Sequence, residues 1–394
     1  MELIYPNKKS KAEIIQQVTP ARLELKEGPA NPLSSCLLIE GENLHVMKAL
    51  LGNYELKGKI DLVYIDPPFS TNTVFRTSAE RSSHVSSSPG DEVAYSDKLN
   101  GAEFLEFIRE RLILIRELMS DQGSIYLHID YKIGHYLKII MDEIFGPANF
   151  RNDIARIKCN PKNFQRRAFG NIKDLILFYT KSDQYTWNEP LELKSEEDTQ
   201  RLFRKKDELG RCHTTTPLHA PGETINGNTG KMWKNMLSPK GRHWRYDPEV
   251  LEELDKQGLI EWSKNGVPRK IIYAESCVDK KMQDIWEFKD PQRPVYPTEK
   301  NFDLLKLIIS TSSNLGDTIL DSFCGSGGTL LAADSLDRNW IGIDNSEIAI
   351  KTCLKRLKNR KITLLGALHQ FSFLTTEESA ENLTHAQHLA LPRL

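Results

Sequence analysis

Ile60-Asp61-Leu62-Val63-Tyr64-Ile65-Asp66-Pro67-Pro68-Phe69 is the stretch whose reading decides the fold. Its first six residues are apolar except for Asp61 and read as a buried strand bounded by a sharp turn. The two prolines end that strand. Pro68 has no N–H for a ladder, and it pushes Pro67 into an extended conformation. Asp66 is thereby held at the carboxyl end of a strand, with an aromatic ring three residues further on. Ligands of open α/β sheets bind at that edge. By themselves the same four residues also fit a strand followed by a turn with an exposed acid.

The neighbouring segments extend the pattern on both sides. Leu37-Leu38-Ile39 is a short strand, Gly41-Glu42-Asn43-Leu44 a turn, and 46–51 a helix leading to the Asp66 strand. Strand, helix and strand in that span make a βαβ unit, whose connection is right-handed. Beyond Phe69, residues 70–100 are rich in serine and poor in apolar anchors. A loop that long is either a lid or an insertion without a role. Phe104, Phe107, Ile108, Ile115, Leu118 and Met119 then recur at helical spacing. Residues 123–130 form the next strand, where His128 and Asp130 read as structural. Residues 134–145 form a helix closed by Gly146-Pro147.

A second strand end lies far downstream. Thr318-Ile319-Leu320 runs into Asp321-Ser322-Phe323-Cys324-Gly325-Ser326-Gly327-Gly328-Thr329, followed by the helix-like Leu330-Leu331-Ala332-Ala333. Gly325 and Gly327 carry no Cβ, so the backbone can approach a ligand closely. The phosphate-cradling pattern G-x-x-x-x-G-K-[S/T] is absent. Trp340-Ile341-Gly342-Ile343-Asp344 is another strand ending in an acid, which can accept hydrogen bonds from both hydroxyls of a ribose.

Asp66-Pro67-Pro68-Phe69 resembles the D-P-P-Y/F catalytic motif of the DNA amino-methyltransferases. Asp321 to Thr329 resembles their D-x-F-x-G-x-G motif for S-adenosylmethionine. The order, catalytic motif first, is that of the β group of this family. Tyr296-Pro297-Thr298-Glu299-Lys300 resembles the family's Y-P-T-Q-K-P segment, with Glu299 in place of Gln and Asn301 in place of Pro. Ser70 stands where many relatives have Asn. The resemblance implies an α/β fold, a doubly wound Rossmann-like methyltransferase sheet with an inserted target-recognition region. It implies S-adenosylmethionine as cofactor, with Asp321, Phe323, Cys324, Gly325, Gly327, Asp344, Thr298 and Lys300 around it. Gly41-Glu42-Asn43 would lie at the adenine end. Asp66, Pro67, Pro68 and Phe69 would be catalytic, acting on a base flipped out of the duplex. Asp rather than Ser at position 66 favours the N6 amine of adenine over the N4 amine of cytosine.

The implied organisation is an N-terminal arm at 1–36 with little structure of its own and a catalytic half at 37–182. A target-recognition region at 183–290, a cofactor half at 291–362 and a tail at 363–394 without motifs complete it. Over 151–181 Arg151, Arg156, Lys158, Lys162, Arg166, Arg167, Lys173 and Lys181 face only Asp153 and Asp174, with Phe150, Phe164 and Phe169 interleaved. Such a stretch suits contacts to DNA phosphates, and Arg166, Arg167, Lys162 and Lys158 are its candidates.

Composition sets the outer bounds. The chain has 394 residues and a net charge of −1, so a DNA surface must come from local asymmetry. Its six cysteines are scattered without a C-x-x-C pair, which suits a reducing cytoplasm. Cys212, His213, His219 and His243 fit no metal spacing, and no metal is expected. No apolar run has transmembrane length, and no signal peptide is visible. The expected partner is double-stranded DNA; a homodimer and a cognate restriction endonuclease stay open. Two other classes remain: a dinucleotide-dependent oxidoreductase using Gly325, Gly327 and Asp344, and an inactive DNA-binding homologue. The first leaves Asp66-Pro67-Pro68-Phe69 unexplained.

Overall fold

The computed structural model describes residues 2–32, 36–68, 101–161, 167–224, 226–277, 279–292, 294, 296, 299–360 and 369–377, and the backbone of Val74–Thr77 and Glu92–Ser96. The chain divides into two units, one made of Met1–Glu189 with Gln283–Leu394 and the other of Pro190–Met282.

The first unit is built on a ten-stranded sheet. Its strands are β1 (Leu23–Glu27), β2 (Cys36–Glu40), β3 (Ile60–Ile65), β4 (Met119–Ile129), β5 (Phe150–Ile157), β6 (Lys173–Thr180), β7 (Ile285–Glu287), β8 (Thr318–Asp321), β9 (Asn339–Asp344) and β10 (Phe371–Thr376). Its helices are α1 (Lys11–Gln17), α2 (Asn43–Gly52), α3 (Gly101–Leu118), α4 (Gly134–Phe145), α5 (Phe302–Ser312), α6 (Gly328–Ser335) and α7 (Glu347–Lys358). Across the sheet the order is β1-β10-β2-β9-β8-β3-β4-β6-β5-β7. From β10 to β4 all strands are parallel. Strand β6 runs against both of its neighbours.

The unbroken apolar runs of β3 and β4 follow from burial on both faces. Val63, Ile65, Ile125, Leu127 and Ile129 share a core with side chains of α2, α3 and α4. The alternate residues point the other way, where the Tyr126 hydroxyl lies 2.8 Å from Ser312 Oγ at the end of α5. Helices therefore cover both faces, the doubly wound arrangement expected. Asp61, the one polar residue in the β3 run, accepts the Thr318 N–H at 3.0 Å and so helps dock β8 beside β3.

Residues expected to form an arm with little structure of its own, and residues 371–376 of the expected tail, take regular structure. Ser10 and Glu13 form a reciprocal capping box that starts α1. Strand β1 pairs antiparallel with β10, and β10 lies parallel beside β2. These additions cover what would otherwise be an exposed edge of β2. Within 70–100, Val74–Thr77 and Glu92–Ser96 pair antiparallel; the rest of that stretch lies outside the described residues.

The second unit is antiparallel. Lys205–Lys206, Cys212–Pro217, Pro268–Tyr273 and Ile260–Trp262 form a four-stranded sheet. His219–Pro221 and Arg242–Trp244 form a separate ribbon. Leu218, Trp233, Trp244, Leu251 and Ile260 make its small core. Its limits are narrower than the expected 183–290. Asn188 N–H donates to the Thr311 carbonyl at 2.7 Å, and β7 pairs with β5, so both flanks belong to the first unit. No helix among the described residues is long and apolar enough to cross a membrane.

Candidate active site

Asp66 leaves the carboxyl end of β3 beside the carboxyl end of β8, because Ile319 pairs with Leu62 and Leu320 with Val63. The motif acids Asp66 and Asp321 therefore end neighbouring strands. Asp66 Oδ2 is 2.6 Å from Lys300 Nζ, and both side chains are mostly buried, at 16% and 10% exposure. The other oxygen, Oδ1, is buried and has no hydrogen-bond partner among the described residues. A buried acceptor left open is costly unless something fills it. Pro67 is buried and Pro68 half-buried. Phe69 lies outside the described residues, as does Thr298.

A polar network crosses the sheet on the α5 side of this acid. The Tyr64 hydroxyl is 2.8 Å from His128 Nδ1, and His128 Nε2 is 3.3 Å from Asp174 Oδ2. A carboxylate only accepts, so Nε2 donates to Asp174 and Nδ1 accepts from Tyr64. Asp174 Oδ1 takes Lys158 Nζ at 2.6 Å, and the fully buried Arg156 guanidinium lies 3.6 Å from Oδ2. Burial pushes the Tyr64 hydroxyl well above its usual range and holds His128 below its own, which keeps the imidazole neutral. Burial alone would raise the Asp174 carboxyl. The His128 hydrogen bond and the cations around it outweigh that and hold it well below the usual carboxylate range. Asp130 has a local task, accepting the N–H groups of Lys132 and Ile133 at the turn into α4.

The glycine loop between β8 and α6 is braced on every side. Asp321 is buried and accepts the Phe323 N–H at 3.0 Å, and burial pushes its carboxyl up to about 7. Asp344 Oδ2 accepts the Gly325 N–H at 2.8 Å, and its Oδ1 accepts the Ser346 N–H at 2.9 Å. The Asn345 N–H bonds to the same carboxylate, which with three backbone donors still has acceptor capacity for a ligand hydroxyl. Burial raises the Asp344 carboxyl also, against those backbone bonds. Gly325 and Gly327 have φ of +50° and +80°. A Cβ on Gly327 would meet Cys353 Sγ at 2.4 Å. Cys324 is buried, and its N–H bonds to the Ile343 carbonyl of β9 at 3.1 Å. Phe323 is half-buried against the core.

Several of these braces were not visible from sequence. Asn43 Nδ2 donates to the Ser322 carbonyl at 2.7 Å, and Arg111 Nε donates to Asn43 Oδ1 at 2.6 Å. Arg111 also pairs with Glu42, the residue that caps α2. Gly41-Glu42-Asn43 thus supports the glycine loop from behind. Arg356 donates to Ser326 Oγ at 2.8 Å and pairs with Glu299 at 2.9 Å, which gives Glu299 a partner that suits its charge. Asn301 caps α5 by accepting the Asp303 N–H at 2.9 Å. Arg111 falls on the apolar stripe of α3, three residues after Ile108 and four before Ile115, and Arg356 follows Ala349 and Cys353 at the same spacing on α7, so a charge at each position was a signal of an inward partner.

Part of the basic stretch at 151–181 is turned inward, while Lys173 is exposed. Arg156 is fully buried, and Lys158, expected against DNA, has its charge engaged by Asp174. Lys181 lies 3.2 Å from Asp121. Such pairing follows from strands β5 and β6 lying inside the sheet, where an unpaired cation is costly. Arg167 is exposed. Lys162 and Arg166 lie outside the described residues. The histidines of the second unit have separate partners: His213 faces Glu261, His219 faces Arg242, and His243 faces the Gly222 carbonyl.

A doubly wound sheet with an acid after β3 and an acid-braced glycine loop after β8 defines a nucleoside-cofactor enzyme of the methyltransferase type. Residues 60–355 match the family described as DNA methylase, of N6 and N4 specificity, and the chain belongs to that family. It is 42% identical over 364 residues to the Type II methyltransferase M.EcaI of Enterobacter cloacae, a match covering 90% of this chain and 77% of that protein. Type II methyltransferase M.KpnI of Klebsiella pneumoniae is 28% identical over 365 residues, with 80% of each chain covered. The StyLTI Mod subunit, a Type III restriction-modification enzyme of Salmonella typhimurium, is 27% identical over 338 residues; the match spans 78% of this chain and 51% of that protein. Among solved structures, the PvuII DNA methyltransferase (cytosine-N4-specific) aligns over 86% of this chain and 92% of its own, at 11% identity and a TM-score of 0.47. The chain is a DNA methyltransferase of the restriction-modification type, with S-adenosylmethionine as methyl donor. This sets aside the oxidoreductase reading.

Proposed function

We propose that this enzyme methylates the exocyclic N6 amine of an adenine flipped out of duplex DNA. The observation that carries the reading is Asp66 Oδ1, a buried acceptor at the carboxyl end of β3 without a partner among the described residues. An exocyclic amine is a poor nucleophile because its lone pair is delocalised into the ring. Asp66 Oδ1 accepts one N–H and the Pro67 carbonyl the other, which draws the nitrogen toward tetrahedral geometry and aims its lone pair. Phe69 stacks on the base. Extruding that base costs a few kcal/mol.

The braced loop fits the cofactor by its donor set. Asp344 offers its remaining acceptor capacity to a ribose hydroxyl, Gly325 presents bare backbone, and the buried Asp321 acid suits a cationic amino group. S-adenosylmethionine supplies, when bound, an electrophilic methyl group on a sulfonium. The protein's part is to hold the amine at the attack distance, about 3–3.5 Å, an arrangement worth up to ~7–11 kcal/mol. Asp66 acts as an acceptor throughout, and the amine proton can leave after the methyl group has moved.

The target-recognition region is assigned to the second unit. There Arg242 and Arg245 are exposed, Arg269 is half-buried, and their charges help to lower the pKa of His219, after burial. None of the three arginines has a carboxylate partner among the described residues. They join Arg166 and Arg167 as phosphate contacts, which orient the duplex without reading its sequence. Action in the cytoplasm beside a cognate restriction endonuclease completes the reading. The test is to sequence DNA from cells expressing the protein, with detection of modified bases. N6-methyladenine at one recurring sequence is the expected result; N4-methylcytosine would move the target to cytosine.

A further inference from the structure

The segment resembling Y-P-T-Q-K-P is expected to hold the cofactor, yet the Lys300 ammonium lies against the catalytic acid. Its Nζ is 2.6 Å from Asp66 Oδ2, in a site where both side chains are at least four-fifths buried. A carboxylate at the end of a strand can rotate about two side-chain torsions. Each rotation would carry Oδ1 away from the place where the amine must sit. An ion pair at 2.6 Å on one oxygen removes that freedom and leaves the second oxygen as the open acceptor.

The backbone makes Lys300 suitable for this task. It lies two residues before α5, whose first turn is fixed by the Asn301 cap. The residue before it, Glu299, is tied to Arg356 on α7. The chain is thus anchored on both sides of Lys300, so the ammonium is presented from a fixed point. A lysine is also compact enough to contact one oxygen, whereas a guanidinium fork engages both. Bidentate pairing would consume Oδ1.

We propose that Lys300 is a positioning residue for methyl transfer: by holding Asp66 Oδ2 it aims Oδ1 at the target amine. This rests on the reading of Asp66 as the amine acceptor. It assigns Lys300 to the catalytic motif rather than to cofactor affinity.

The test uses the full chain, S-adenosylmethionine carrying a labelled methyl group, and unmethylated genomic DNA. Lys300→Met keeps the length of the side chain and removes the charge. Its methyl-transfer rate at saturating donor should fall by about 10²-fold, the effect of misplacing a reacting group by ~1 Å. Its Kd for S-adenosylmethionine by calorimetry should stay close to wild type. In an Asp66→Asn background the same change should add little, because residues acting as a unit are not additive. If Lys300→Met melts well below wild type, Lys300→Gln carries the same readouts. A weakened Kd with an unchanged saturated rate would return Lys300 to the cofactor and overturn the proposal. So would an unchanged rate and Kd together, or full additivity with Asp66→Asn. An Asp66→Ala protein that turns over normally would instead sink the acceptor reading itself, whichever way Lys300 behaves.

Discussion

On the proposed reading Asp66 acts through one oxygen atom, and its removal should stop catalysis in a folded protein. Asp66→Ala should abolish methyl transfer in a protein that still folds, with a melt lowered by the buried Lys300 ammonium losing this pair. Asp66→Asn keeps the shape and one acceptor oxygen, so a severe but incomplete loss is expected. Phe69→Ala should cost roughly 1–3 kcal/mol of stacking, and Phe69→Tyr should keep most of the activity. Labelled-methyl incorporation into duplex DNA measures all four. Asp321 makes a different prediction. Its folded carboxyl sits at about 7, against ~3.9 in an unfolded chain. A raised folded pKa means that the stability is present below the unfolded value and is lost as pH rises through the folded one. Without cofactor, wild type should therefore lose about 4 kcal/mol between pH ~4 and ~7 relative to Asp321→Asn. Denaturant melts of the two proteins across that range measure the difference. His128 and Asp174 have lowered values, so their contributions fade toward acid and are common to both proteins. Parallel stability curves would show that Asp321 is ionised throughout.

At the scale of single elements, the glycine loop works as a rigid bracket. Gly327 caps α6 at φ +80°, with Cys353 Sγ where a Cβ would be. Gly327→Ala should destabilise the fold by about 1–3 kcal/mol through crowding and backbone strain. It should also weaken cofactor binding by more than Gly316→Ala, whose added Cβ meets nothing within 4 Å although its φ is +81°. Calorimetry with S-adenosylmethionine, beside a melt of each variant, separates strain from crowding. Equal losses in the two variants would leave the Cys353 contact without consequence. The Asn301 cap on α5 is a milder case. Asn301→Ala should cost ~1 kcal/mol of stability. If Lys300 takes its position from this cap, the methyl-transfer rate should fall as well, and a rate unaffected by loss of the cap would show that α5 does not set Lys300.

For the whole molecule, the two ends of the second unit lie side by side. Met282 N–H bonds to the Pro190 carbonyl at 3.1 Å, so a short linker can replace 190–282. Such a protein should keep its melt and its affinity for S-adenosylmethionine, and lose sequence-specific DNA binding. If cofactor binding disappears with the insert, the first unit does not stand alone. In the full chain, Arg242→Ala with Arg245→Ala should weaken DNA binding. It should also flatten the slope of log K against log salt by roughly one for each phosphate no longer neutralised. An unmoved slope would remove the ribbon from the DNA surface.

Local patterning was enough to place the central strands, the helices on their two faces and the ends of β3 and β8. Apolar runs, prolines and glycines act within a few residues of themselves, so Asp66-Pro67-Pro68 and Asp321 to Gly327 can be read without knowing what lies opposite. The order of the two motifs further implied that their strands meet in one sheet. What the charged residues do could not be read in the same way. Lys158 and Arg156 look like a DNA surface until β5 and β6 bring them onto Asp174. Arg111 stands on the apolar stripe of α3, and only the packing of α2 supplies Asn43 as its partner. The pairing of Lys300 with Asp66 at 2.6 Å is likewise visible only once β3 brings the acid there. A charge takes its role from the partner it finds, and here those partners lie tens to hundreds of residues away. The small strands β1 and β10 are also tertiary decisions, because too few residues alternate there for a pattern, and only the open edge of β2 orders them.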